Sequence, residues 1–220
     1  MGALDGPGLR CIVYLQGCPL RCIYCQNPET WNAKGGEEIT ADALIKKIDR
    51  FKTYIKTGGV TVSGGEALFQ WTFTAKLFRA LKEKGYHTAL DTSGAGDLEG
   101  AAEVLKYTDL VICDIKFTED ADFKNYCGGD LSQVYEFLSL TSKMNLPLWV
   151  RQVIVPGIND TKESVLKLKK TASLYPNLQK IELLPFRKLC LAKYENSSID
   201  FKLKDTPECS EDTLKALQAL

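Results

Sequence analysis

Cys18, Cys22 and Cys25 stand in the run Gly17-Cys18-Pro19-Leu20-Arg21-Cys22-Ile23-Tyr24-Cys25, three thiols within eight residues. Thiolates ligate zinc or iron–sulfur clusters, and closure by cysteine alone takes four of them. The chain has eight cysteines but no second Cys-x-x-Cys pair to complete a zinc site. Idle buried thiols have no reason to crowd onto one loop. The spacing points instead to a four-iron cluster held by three cysteines, with one iron open to a ligand that is not protein. Chemistry would happen at that iron. Cys11 and Cys113 fall inside predicted strands and read as core, whereas Cys127, Cys190 and Cys209 are scattered and are expected to pack.

Ser63-Gly64-Gly65-Glu66 is the second constellation. Paired glycines let a ligand approach the backbone, and a carboxylate can accept hydrogen bonds from an ammonium group. The letters alone are weak, because Gly35-Gly36-Glu37 repeats them in an apparent loop to which no role is assigned. Asp91, Asp114 and Lys116 form the third. They read as a salt bridge across the mouth of the fold, or as a ligand site. In the second case Lys116 would meet a carboxylate while Asp91 and Asp114 hold a cation or ribose hydroxyls. A paired-carboxylate acid/base site stays open as well. The single histidine, His87, leaves no room for multi-histidine metal chemistry and is expected to pack.

These groups sit where predicted strands end. Runs rich in β-formers occupy Cys11–Gly17, Gly59–Ser63, His87–Thr92, Leu110–Ile115, Leu148–Val155 and Lys180–Pro185. Several are continuously apolar, as parallel strands covered on both faces should be. Helical patterns alternate with them at Ala41–Tyr54 after the N-cap Thr40, Trp71–Glu83, Leu98–Lys106, Leu131–Met144, Lys162–Tyr175 and Ser210–Leu220. Such an α/β alternation makes either an open doubly wound sheet or a partly closed barrel, and both put function at the C-terminal strand ends. No repeat or Pro/Gly-rich linker divides the 220 residues, so one domain is expected. The 28 basic and 28 acidic side chains cancel, which argues against a nucleic-acid or anionic-membrane surface. No apolar run reaches a membrane span and no signal-peptide core opens the chain, so a cytoplasmic protein is expected.

Cys18-x-x-x-Cys22-x-x-Cys25 is the signature of the radical S-adenosylmethionine superfamily. The longer stretches Asp5-Gly6-Pro7-Gly8-Leu9-Arg10 and Leu15 through Trp31 resemble the glycyl-radical-enzyme activases, most nearly the type that acts on pyruvate formate-lyase. The likeness continues through Val62–Ala67, Leu90–Gly94, Asp114-Ile115-Lys116, Val153–Gly157 and Ile181–Pro185, nearly the whole chain.

The resemblance implies a partial (β/α)6 barrel. Cys18, Cys22 and Cys25 would bind a [4Fe–4S] cluster whose open iron takes the amino and carboxylate groups of S-adenosylmethionine. Glu66 and the Gly64-Gly65 backbone would hold the amino group, and Lys116 the carboxylate. Asp91, Thr92 and Asp114 match positions able to hold a monovalent cation, and backbone around Tyr24 and Gln26 would contact adenine. Asp5 would touch the partner's glycine loop. The implied reaction is reductive cleavage to a 5′-deoxyadenosyl radical, which removes a hydrogen from a glycine of a large partner enzyme. A flavodoxin or ferredoxin would supply the electron, and a monomer would suit so large a partner.

Four departures are visible. Gln26 stands where histidine is common, and Arg187 replaces a histidine that reaches the ribose, a change that is not isosteric. The likeness starts near Asp5 without the family's N-terminal segment. No cysteine-rich auxiliary insert lies between Trp31 and Ala41. The rival readings are a radical S-adenosylmethionine enzyme acting on a small molecule or peptide, and a non-catalytic iron–sulfur or zinc protein. Asp5-Gly6-Pro7-Gly8 and Cys25 through Trp31 weigh against the first, and the presence of Glu66, Asp91 and Lys116 weighs against the second.

Overall fold

A computed structural model describes residues 1–2 and 4–220. Six strands, β1 (Arg10–Leu15), β2 (Gly59–Gly64), β3 (Thr88–Thr92), β4 (Leu110–Asp114), β5 (Leu148–Ile154) and β6 (Leu178–Pro185), pair in parallel in strict chain order. Among the described residues eight α-helices connect or follow them: α1 (Ala41–Asp49), α2 (Trp71–Glu83), α3 (Leu98–Leu105), α4 (Asp120–Cys127), α5 (Leu131–Lys143), α6 (Lys162–Ala172), α7 (Leu191–Asn196) and α8 (Glu211–Gln218).

The strand order decides between the two expected architectures. A doubly wound sheet reverses its order at a switch point. Here the order never reverses, so right-handed crossovers carry every connection to the same side of the sheet. The other side curls inward as a partial barrel. No strand joins β1 to β6 among the described residues, so the barrel stays open between them, and the outer edge of β1 meets only an antiparallel bridge from Gly2 to Arg10.

Period-two alternation sorts the strand residues between two interiors. Outward-facing Val60, Val62, Leu90, Val111, Cys113 and Val150 join the main core beneath the helices. Each fully buried valine or leucine contributes about 1.5–3 kcal/mol of hydrophobic stabilisation. The barrel interior has its own small apolar floor of Ala89, Leu110 and Ile112, with Trp149 packed against it. One pleat further along the same strands come Asp91, Asp114 and Arg151, so a charged layer sits directly on that floor.

Arg10 closes the floor at the β1 side. It is fully buried, its Nε donating to Thr61 Oγ1 at 2.6 Å and its Nη2 to the Val60 carbonyl at 2.8 Å. The His87 ring accepts from the same guanidinium at 3.3 Å, and burial holds that imidazole below its usual range. His87 therefore packs, as expected.

Boundaries moved where local pattern gave no stop. The helix expected over Ala41–Tyr54 ends at Asp49, and the chain continues in turns to Gly58. The predicted Lys162–Tyr175 stops at Ala172. β1 starts at Arg10 and ends at Leu15, short of Gly17. Helices α4 and α7 were not anticipated, because they bury only Phe123 and Cys127, and Tyr194, respectively. So few apolar residues make no periodic signal.

Candidate active site

The cysteine loop leaves β1 through Gly17, whose φ of +90° is a left-handed conformation that favours glycine. Its N–H donates to the Thr30 carbonyl at 2.8 Å, and its own carbonyl accepts from Glu66 N–H at 2.8 Å. The far side of the loop is stitched to the end of α4, with Arg21 N–H donating to the Cys127 carbonyl at 2.7 Å and Ile23 N–H to that of Tyr126 at 3.0 Å. Held this way, Cys18, Cys22 and Cys25 all line one cavity of about 190 Å³ at the C-terminal ends of the strands. Burial pushes the Cys18 thiol up to about 12 and raises Cys25 too, with Lys116 pulling both down. Metal-free, these sulfurs carry protons that a cluster must displace.

The glycine pair shapes the opposite wall. Gly64 has φ of +120°, and a Cβ there would overlap the Leu15 backbone; one on Gly65 would overlap the Gly17 carbonyl. Gly64→Ala is therefore expected to cost about 1–3 kcal/mol through a strained backbone. Thermal denaturation should show a melting point lower by roughly 3–10 °C for a chain of this size.

Glu66 lies behind the glycines, outside the cavity lining, and is 2% exposed. One carboxylate oxygen accepts from Thr92 Oγ1 at 2.5 Å and Leu68 N–H at 3.0 Å. The other accepts from Ser93 N–H at 2.8 Å and Ser93 Oγ at 2.5 Å. Burial raises its pKa, and the four hydrogen bonds oppose that rise. In this arrangement Glu66 ties the turn after β2 to the end of β3, and the Gly64-Gly65 backbone faces the cavity in its place.

Lys116, Asp91 and Asp114 do converge in the cavity, joined by a residue the sequence reading missed. Arg151, on β5, pairs with Asp91 and reaches Asp114 through Nε at 3.3 Å. Lys116 Nζ lies 3.1 Å from the other Asp114 oxygen, and Ser63 Oγ donates to Asp91 at 2.7 Å. Burial alone would raise Asp114, but Lys116 and Arg151 outweigh it and hold the carboxyl below its usual range. Burial likewise opposes charge on Lys116, but Asp114 together with Cys22, Tyr24 and Cys127 outweighs it and holds the ammonium above its usual range. The salt bridge across the mouth is thus present, with one more partner than expected. Arg151 carried a signal, a lone arginine inside an apolar strand at the pleat that faces inward.

Two expected residues lie elsewhere. The Arg187 guanidinium turns away from the cavity, its Nη1 donating to the Cys209 carbonyl at 2.5 Å and lying 3.8 Å from Glu208. The backbone carbonyl of Arg187 instead accepts from Gln26 Nε2 at 2.8 Å, so Gln26 fastens the cysteine loop to the end of β6. Asp5 is half-buried outside the lining, near Asp91 and Arg151, and burial raises its pKa. Tyr24 lines the cavity, and its buried hydroxyl lacks a hydrogen-bond partner.

The donor set fits an iron–sulfur cluster better than a single ion. Three free thiols surround one space beside a cationic lysine. Among the described residues, no three His, Cys, Asp or Glu side chains converge on one ion position. The unpartnered Tyr24 hydroxyl and the glycine backbone leave polar groups for a ligand next to the thiols.

The family described as 4Fe-4S single cluster domain matches residues 4–134. A pyruvate formate-lyase-activating enzyme of Clostridium pasteurianum is 44% identical, covering 99% of this chain and 92% of its own length. The crystal structure of a domain of pyruvate-formate lyase-activating enzyme from Bacteroides vulgatus ATCC 8482 superposes with a TM-score of 0.60. It is 20% identical and covers 74% of this chain and 91% of that one. Streptococcus suis SuiB bound to S-adenosylmethionine reaches a TM-score of 0.75 at 12% identity, covering 96% of this chain and 46% of that one. At such identities the two structures speak for the fold alone.

Proposed function

We propose that this chain, which belongs to the family of pyruvate formate-lyase-activating enzymes, installs a glycyl radical on a partner enzyme, with pyruvate formate-lyase as that partner. One observation carries the reading. The three cysteines, the Gly64-Gly65 backbone and Lys116 line a single cavity, although they come from three different βα units. When bound through Cys18, Cys22 and Cys25, a [4Fe–4S] cluster supplies the electron that cleaves S-adenosylmethionine to methionine and the 5′-deoxyadenosyl radical.

The chain's own work is positional. Lys116 spends one N–H on Asp114 and keeps two for the cosubstrate carboxylate. The Gly64-Gly65 backbone admits the amino group at close range, and Glu66 fixes that turn from behind. Tyr24 and Gln26 border the adenine side, with Gln26 acting through the backbone it anchors. Arg187 would need to leave Cys209 to reach a ribose. A monovalent cation on Asp91, Thr92 and Asp114 would compete with Arg151 for the same oxygens. Asp5 stands near the mouth, where the partner's loop would enter.

The reading takes residues 1–220 as one radical S-adenosylmethionine core without an auxiliary cluster insert. It places this core in the cytoplasm as a monomer served by a flavodoxin or ferredoxin. No helix among the described residues is long and apolar enough to cross a membrane. Mixed anaerobically with pyruvate formate-lyase, S-adenosylmethionine and reductant, the reconstituted chain should raise a glycyl-radical doublet in electron paramagnetic resonance. Cleavage of S-adenosylmethionine without that doublet, on this or other glycyl radical enzymes, would favour a small-molecule or peptide substrate.

A further inference from the structure

We infer that Gln152 is a positioning residue for the cosubstrate carboxylate and acts through Lys116, an inference that rests on the reading of Lys116 as the carboxylate's partner. Gln152 lies on β5 in the row Leu148, Val150, Gln152 and Ile154, which period-two alternation turns toward the helices. Leu148, Val150 and Ile154 belong to the main core, and Gln152 among them is 1% exposed. An amide buried in an apolar row must find partners or cost stability. Its Nε2 finds two, donating to the Ile115 carbonyl at 3.0 Å and to the Lys116 carbonyl at 3.3 Å. Its Oε1 finds none. A methionine would fill the same space and strand no oxygen, so packing gives no reason for glutamine here. The two carbonyls do.

Those carbonyls belong to the peptide groups on either side of the Lys116 Cα. Each peptide group is planar, so holding both planes fixes φ and ψ of Lys116, and with them the direction of its Cα–Cβ bond. The sheet stops short of this residue. β4 ends at Asp114 opposite Arg151, and Ile115 N–H still bonds to the Arg151 carbonyl at 3.0 Å. Lys116 stands past the strand end and before α4, outside both elements. Gln152, the next residue along β5, extends the pairing of the two strands by a side chain. Any rotation at the Lys116 Cα is amplified along four methylenes to Nζ, which must meet Asp114 at 3.1 Å and still face the cavity. Neighbouring residues of β5 thus set the two members of this ion pair from opposite faces. Arg151 holds the acid from inside the barrel, and Gln152 holds the backbone of the lysine from the core side.

The experiment uses the full chain carrying its cluster, with binding of S-adenosylmethionine read by anaerobic titration calorimetry. Gln152→Met should weaken binding about tenfold, the loss of roughly one charge-assisted hydrogen bond. In turnover the loss should appear in KM, with kcat held within about twofold. Decarboxylated S-adenosylmethionine is the control ligand, because it gives Lys116 nothing to hold. It should bind parent and variant equally. Equal affinity of the two chains for S-adenosylmethionine itself would overturn the inference. So would an equal loss with both ligands, which marks a general disturbance of the site. Gln152→Leu is the second variant and should show the same selective loss. If circular dichroism finds neither variant folded, Gln152 serves the core and the inference fails. Lys116→Met separates the inference from the reading beneath it. Weakened binding in Lys116→Met with normal binding in Gln152→Met refutes the inference alone. Normal binding in Lys116→Met refutes the role given to Lys116.

Discussion

Cys22→Ala is expected to abolish cluster loading and cosubstrate cleavage while leaving the fold in place. Anaerobic reconstitution should give about four irons per chain in the parent protein and well under one in the variant. Reductive cleavage of S-adenosylmethionine should fall to background. The structure supplies the reason for the separation between fold and function. Cys22 is a small side chain at the edge of the main core, and its loop is held by backbone hydrogen bonds from Gly17, Arg21 and Ile23 rather than by the sulfur. Truncation to alanine removes one sulfur, a loss of about 1 kcal/mol at such a site. Two remaining thiolates cannot hold a cubane against solvent. Retention of four irons in C22A would mean that the cluster has other ligands.

Arg151→Met should act in the opposite sense, through stability before chemistry. The guanidinium is 8% exposed and neutralises Asp91 and Asp114, whose side chains are 11% and 25% exposed. Breaking a buried ion pair from one side leaves charge without compensation, which costs about 3–5 kcal/mol. Asp91 keeps Ser63 and Asp114 keeps Lys116, so the lower end of that range is expected. A melting temperature lower by roughly 6–12 °C follows for a chain of this length. Adding Asp91→Asn to the variant should recover part of the loss, because it removes the stranded charge. Arg151→Lys should fall between, since an ammonium cannot present a planar fork to two acids.

The pH dependence has a definite sign. Asp114 is held below its ordinary value in the folded protein. Its contribution is therefore fully present above about pH 4 and is lost as the pH falls through the folded value. The gap between parent and R151M should narrow on acidification across that window. A gap that widens would show that Arg151 stabilises by packing rather than by charge.

The strand-end position of every motif was legible because each is a local fact. Continuously apolar runs mark buried parallel strands, and the polar residues that break them mark the rim. The helix caps followed the same logic, as Thr40 does by accepting from Ala43 N–H at 3.3 Å. Helices α4 and α7 were not legible, and the α4 omission hid the neighbourhood of Cys127. A helix that buries one or two side chains leaves no periodic trace.

By itself the sequence determined the chemistry on offer: three thiols at cluster spacing, two glycines before a glutamate, and a lysine two residues after an aspartate. Such spacings survive any folding of the rest. The tertiary structure alone decided which of these groups meet. Parallel register set Arg151 beside Asp114 and turned it toward Asp91, so the acids are already paired. The hydrogen-bond demand of a buried carboxylate drew Glu66 away from the cavity onto Thr92 and Ser93. Backbone bonds from Arg21 and Ile23 set the end of α4 against the cysteine loop. These contacts join residues far apart in the chain, and only the register of strands and loops, not residue type, brings them together.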